Sequence, residues 1–248
     1  MKNRYKEIFK DHVMLSGKMQ GATKELTGKI VVIVFFINDN ESRWSQTDIQ
    51  KYQKIHDEGM RSLMRQARES GANLHLVTAS CTLDVNMVCT ADNTTEWIKA
   101  ALSGYRKEMA VDYQQYYEAK YGYDEAPIIF AFNKEFRCYA MSASDKRPTA
   151  EECSVVCRDS IKESIMHELL HQFGAPDYYY PADVEEAATK YFPSSVMQYY
   201  DCEDVDDLTK YVIGWTDEIP DNAALFLLNT QHHTQESINE AIAREWGK

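Results

Sequence analysis

HELLHQFGAPD, residues 167–177, combines two histidines, a glutamate, a glycine and an aspartate at spacings that constrain the chain around them. His167 and His171 are four apart, and on a helix that spacing stacks them on one face, one turn apart. Gly174 follows three residues later. A glycine can take the left-handed conformation that ends a helix and reverses the chain, and Pro176 stops helical continuation. Asp177 then stands where the returning chain presents its carboxylate to the face that carries the histidines. Two imidazoles so placed offer nitrogens to one zinc ion at about 2.0–2.1 Å, and a catalytic zinc takes three protein ligands plus water. The candidate ligands are therefore His167, His171 and Asp177. Glu168, beside the first of them, is positioned as a general base toward a metal-bound water. Ile161, Ile165, Leu169, Leu170 and Phe173 recur at helical spacing and read as core. Ser160 and Glu163 have capping-box spacing at the helix start.

Upstream, the elements follow a readable order. IVVIVFFI, residues 30–37, is rich in β-branched residues and reads as a buried strand within 29–38. A helix follows from Ser45, with Ile49, Tyr52, Ile55, Met60, Leu63 and Ala67 on one face and Gly71 as its stop. Residues 73–80 form a second strand, and one long helix is expected from Thr94 to Tyr121. Residues 127–132 are a third strand, 137–143 its hairpin partner, and 153–158 a fifth strand. With two helices crossing between the early strands, the sheet is mixed and the class is α+β.

Past Asp177 the chain becomes turn-rich. Asp201, Glu203, Asp204, Asp206 and Asp207 lack calcium-loop spacing and read as charge at a helix start, where the dipole favours it. A terminal helix is expected over 234–246. The expected division is an N-terminal extension (1–28), an upper part with sheet and active-site helix (29–176), and a lower part (177–248).

The net charge of −12, from 27 Lys+Arg against 39 Asp+Glu in 248 residues, argues against a nucleic-acid partner or an anionic membrane surface. No apolar run reaches the roughly 20 residues of a membrane-spanning helix. No signal peptide is visible: the chain is expected in the cytoplasm if Met1 is the native start, and outside the cell if a leader has been removed. The six cysteines, 81, 89, 138, 153, 157 and 202, fit either disulfides or reduced thiols, and none has CxxC spacing.

HELLHQFGAPD resembles the extended zinc signature of the metzincin metallopeptidases, HExxHxxGxxH or D. SVMQY, residues 195–199, resembles that family's Met-turn. The resemblance implies a metzincin-like zincin fold, with a mixed twisted sheet, two backing helices, an active-site helix and a small C-terminal subdomain. It implies Zn²⁺ as cofactor and Met197 as the Met-turn residue. It also implies that Tyr199, two residues on, stabilises the oxyanion. Asp177 departs from the commoner histidine and matches the snapalysin-like minority, and its charge makes zinc a weaker Lewis acid. The implied function is a zinc metalloendopeptidase acting on a protein or peptide substrate. A metal-binding module that has lost catalysis and a hydrolase of a non-peptide amide are alternatives, and Glu168 argues against the first. Glu185 and Glu186 are alternative third ligands, and Cys202 an alternative latency ligand. His12, His56, His75, His232 and His233 read as satisfied or solvated side chains.

Overall fold

The computed structural model describes residues 5–103, 110–143, 151–234, 236–238 and 240. In chain order the elements are α1 (Tyr5–Phe9), β1 (Gly28–Asn38), α2 (Gln46–Glu69), β2 (Leu74–Asp84), α3 (Thr94–Leu102), α4 (Ala110–Tyr121), β3 (Ile128–Phe132), β4 (Tyr139–Met141), β5 (Cys153–Cys157), α5 (Lys162–Gln172), α6 (Ala182–Tyr191), α7 (Asp207–Val212) and α8 (Asp221–Thr230). The architecture is α+β around one mixed sheet in the order β2-β1-β3-β5-β4. β1 is parallel to β2 and β3, β3 is parallel to β5, and β4 closes the edge antiparallel to β5.

The unbroken apolar run of β1 follows from its having both faces covered. Ile30, Val32, Val34 and Phe36 face the side that α2 and α5 cover, while Val31, Ile33, Phe35 and Ile37 face Trp97 and Ile98 of α3. α2 begins with Ser45 as its cap, accepting from the Asp48 N–H, and ends before Gly71 at φ +81°.

Several boundaries differ from the sequence reading. The second strand runs to Asp84 instead of Ser80. Of the long helix expected from Thr94 to Tyr121, Thr94–Leu102 (α3) and Ala110–Tyr121 (α4) are helical, and residues 104–109 lie outside the described residues. The segment around 137–143 pairs with β5, not with β3, because β3 already has a parallel partner on each edge. The Ser160 capping box is absent. Ile161 is the cap of α5, without a side-chain cap bond, and Ser160 instead accepts from the Cys157 N–H. Ile161 is exposed, since at the cap position it stands outside the helical stripe that buries Ile165, Leu169 and Leu170. The terminal helix over 234–246 lies largely outside the described residues.

Residues 5–28 pack against the sheet and the last helices. Phe9, Met14 and Leu26 are buried in the main core. Tyr5 donates to Asp221, and the His12 ring meets the Leu227 carbonyl, both on α8. The N–H groups of Ala22 and Thr23 donate to the Glu152 carboxylate beside β5. The segment thus ties the sheet to the last helices, and one apolar cluster runs across the boundary expected at 176. Among the described residues, no helix is long and apolar enough to cross a membrane.

Candidate metal centre

α5 carries the HELLH residues toward a cleft at the β4 edge of the sheet. Burial along the helix is nearly complete, from Ile165 through Gln172. Phe173 ends the helix and Gly174 takes φ +87°, with its N–H on the His171 carbonyl. That left-handed step turns the chain back along the helix. Gly174 lies against Gly17 of the N-terminal segment so closely that a Cβ on either residue would overlap the other's backbone.

The reversal brings Asp177 to both histidines. Its Oδ1 lies 3.1 Å from His167 Nε2 and 3.0 Å from His171 Nε2. The two Nε2 atoms are 3.0 Å apart. The other nitrogen of each ring is occupied: His167 Nδ1 lies 2.8 Å from the Val196 carbonyl, and His171 Nδ1 lies 2.7 Å from the Ala175 carbonyl. A carbonyl oxygen only accepts, so each Nδ1 carries the hydrogen. In the neutral rings each Nε2 is then a bare lone pair. Two imidazole lone pairs and a carboxylate oxygen therefore face one point. Asp177 Oδ1 is buried there and meets no partner along a hydrogen-bond direction. Such an arrangement is repulsive unless a cation or a proton sits among the three atoms.

The donor set fits a cation. Bonds of about 2.0–2.1 Å at tetrahedral angles place ligand atoms about 3.3 Å apart, close to the separations seen, and two imidazoles with one carboxylate suit zinc. Without a cation the proton takes that place. Burial lowers His171, but the adjacent Asp177 carboxylate outweighs it and pulls the ring up to about 9. Asp177 itself is held far below the usual carboxylate range by the two histidines, against its burial.

Glu168 is buried, and burial pushes its carboxyl up, while His167 and His171 pull the other way. It lines a cleft of about 410 Å³ together with Arg137, Tyr139, His171, Asp177, Tyr179 and Tyr200.

The turn around Met197 lies under His167. The Ser195 hydroxyl donates to Asp206 and accepts from the Met197 N–H, and the Met197 carbonyl accepts from the Tyr178 N–H. Met197 is fully buried. HELLHQFGAPD and SVMQY are thus joined through the bond between His167 and Val196. The helix-start reading of the acidic cluster holds where it is decisive: Asp206 caps α7, accepting from the N–H groups of Leu208 and Thr209.

Tyr199 is not at the cleft. Its hydroxyl lies 3.2 Å from Thr189 on α6, because Tyr199 folds outward as its N–H returns to the Ser195 carbonyl. Tyr200 takes the cleft position instead, its ring 5.3 Å from that of His167. Tyr179 stacks on the same ring at 6.0 Å with its own ring 6.3 Å from that of Tyr200, and the two phenols are hydrogen-bonded to each other. Alternation of positions 177, 178 and 179 was the available signal for Tyr179, although the chain bends from Tyr178 onward. Residues 177 and 179 face the cleft, while Tyr178 between them is buried. Glu185, Glu186 and Cys202 do not line this cleft. His232 and His233 are paired, both ring nitrogens meeting the Asp183 carboxylate at 2.8 and 2.9 Å.

No family model matches the chain, and no curated protein does. A solved structure described as "Structure of a chaperone-substrate complex" is 11% identical with a TM-score of 0.43; the match covers 83% of this chain and 35% of that one. The chain therefore spans about a third of the length of that structure. A likeness of that size bears on neither activity nor substrate.

Proposed function

We propose that this chain is a zinc-dependent metalloendopeptidase of metzincin type, with His167, His171 and Asp177 as the ligands. The observation that carries the reading is the convergence of two imidazole nitrogens with the buried Asp177 Oδ1 on one point. Further support comes from the element order, from an antiparallel strand at the sheet edge beside the site, and from the turn at Met197 beneath His167.

When bound, zinc supplies Lewis acidity and lowers the pKa of water at its open position to about 7. The protein's part is to orient and to move protons. The carbonyls of Val196 and Ala175 hold the two rings with Nε2 turned inward. Glu168 takes a proton from the attacking water and returns it to the leaving amine nitrogen, a role its burial favours by raising its affinity for that proton. An extended peptide pairs with the edge of β4, the last strand of the sheet and a wall of the cleft. In place of Tyr199, the hydroxyl of Tyr200 faces the developing oxyanion and Tyr179 orients it.

Elemental analysis tests the metal. About one zinc per chain is expected in the wild type, with loss or strong weakening in Asp177→Ala. Glu168→Gln tests the chemistry: it should retain zinc and lose hydrolysis of a peptide library. Retention of full activity by Glu168→Gln would sink the mechanism, and a zinc-free wild type after reconstitution would sink the site.

A further inference from the structure

A second cluster of reactive side chains lies where β5 ends, outside the metal ligands. Cys157 is the last residue of β5, and Cys138 immediately precedes β4. Their sulfurs are 3.7 Å apart. Ser160 Oγ lies 3.6 Å from Cys157 Sγ and 3.3 Å from Cys138 Sγ. The backbone N–H groups of Phe136 and Asp159 also point at Cys157 Sγ. This sulfur therefore receives a thiol, a hydroxyl and two amides, all as donors. Donors aimed at a sulfur favour its thiolate. Both cysteines are only half-buried, and Cys138 lines the cleft.

Cys89, Cys153 and Cys202 stand in a different surrounding. Burial pushes Cys89 up to about 12, and Cys153, fully buried near Glu151 and Glu152, is pushed up as well. Cys202 is raised by burial and by Asp201 and Asp204. Cys157 is lowered to about 5, first by the hydrogen bond from Cys138.

We propose that Cys138 and Cys157 form a dithiol that exchanges with small-molecule disulfides, Cys157 attacking and Cys138 resolving, and so staples the start of β4 to the end of β5. The Cys157 thiolate attacks one sulfur of the small disulfide. One small thiolate leaves, and a mixed disulfide forms on Cys157. Cys138, losing its proton, then attacks Cys157 Sγ and expels the second small thiolate. The two protein thiols are oxidised and one small disulfide is reduced; the Cys138 proton ends on one small thiol, and the other small thiolate is protonated by solvent, which took up the proton of Cys157. The new bond anchors the residue that leads into β4, the strand that borders the cleft.

The test uses the full chain and glutathione disulfide as the probe. After incubation, the wild type should lose two alkylatable thiols and yield a cross-linked peptide pair containing Cys138 and Cys157. Cys138→Ser should instead accumulate a glutathione adduct at Cys157. Alkylation by iodoacetamide at pH 6 gives an independent reading. The thiolate fraction favours Cys157 over an ordinary thiol by a few hundredfold, and the lower nucleophilicity of an acidic thiolate returns most of that, leaving Cys157 about tenfold faster than Cys202. An adduct spread over Cys81 and Cys202, or both thiols of the pair still alkylatable after incubation, overturns the proposal. If Cys138→Ser does not fold, the wild-type cross-link and alkylation rates decide it. None of these readouts requires zinc or peptidase activity.

Discussion

Gln172, the residue after His171, offers a sharp test of how α5 is fixed to the sheet. Its side chain is buried, and its Oε1 accepts from the Ile128 N–H at 3.1 Å. Its Nε2 donates to the Ile128 carbonyl at 3.0 Å and to Ser154 Oγ at 2.7 Å. Ile33 on β1 bonds to Pro127, so the backbone groups of Ile128 point away from β1, toward a position that β5 reaches only from Ser154 onward. The amide of Gln172 thus stands in for the next residue of a strand. Gln172→Met conserves volume and removes all three bonds. Ser154 keeps its bond to the Glu168 carbonyl, so the main loss is two buried backbone groups left unpaired, at about 1–3 kcal/mol each. A net cost of about 3 kcal/mol lowers Tm by about 6–12 °C in a chain of this size. Urea and thermal unfolding, each with and without chelator, measure it apart from metal binding. A loss below about 1 kcal/mol in the chelated protein would refute the strand-substitute role.

Three further outcomes are expected. Chelation should lower the Tm of the wild type by about 8–16 °C, the equivalent of about 4 kcal/mol for zinc at a thousandfold above its Kd; Asp177→Ala should show no such shift, and a scan of both proteins with and without chelator checks it. Gly174→Ala combines a φ of +87° with overlap on Gly17 and should cost about 3 kcal/mol or more in urea unfolding, whereas a neutral result would mean the N-terminal segment does not pack on this turn in solution. Glu125 is pushed up to about 7, chiefly by burial, while its Oε1 accepts from the Lys24 N–H at 2.8 Å. In the unfolded chain its pKa is about 4.3, so between there and 7 the folded protein holds a proton that the unfolded chain has released, and stability falls as pH rises through that window, by up to about 3 kcal/mol. Glu125→Gln should flatten that slope and be the more stable protein at pH 8; an unchanged slope of urea midpoint against pH would contradict this.

What could be read in the sequence was what short-range geometry dictates. The histidine spacing, the helix-ending glycine and the return of Asp177 are all set within eleven residues, and the structure brings the three candidate ligand atoms together. The strand at 30–37 was legible because a run with no polar alternation has both faces covered. Most of the misreadings turn on a partner that the local pattern does not reveal. Whether residues 137–143 pair with β3 or β5 depends on which edge is free, and that is settled only by the whole sheet order. Ser160 has the right spacing for a helix cap, yet it bonds to Cys157 because the end of β5 presents an open N–H and two sulfurs. Tyr199 and Tyr200 differ by one position in a tight turn, and their directions depend on how the turn closes onto α6. The role of residues 5–28 was invisible because their contacts lie with α7, α8 and β5, far along the chain.

The two histidines are supported unequally, and this links the candidate metal centre to the folding of the chain around it. His171 is oriented by Ala175, four residues on, within the same reversal that delivers Asp177. That half of the site can form as soon as α5 and its turn form. His167 is oriented by Val196, 29 residues away, and the turn carrying Val196 is held in place by Ser195 on Asp206. Asp206 in turn caps α7 and accepts from Tyr178, the residue after Asp177. A path of hydrogen bonds therefore leaves the cleft through His167, passes through the turn and the α7 cap, and returns beside Asp177, the third candidate ligand. Loosening of α7 would free the His167 ring before it disturbed His171. A cation that needs both rings fixed would in consequence draw the segment from Ser195 to Val212 into the same cooperative unit as α5. Hydrogen exchange at the N–H groups of Leu208 and Thr209, bonded to Asp206, should then slow on adding zinc although neither residue touches the metal site.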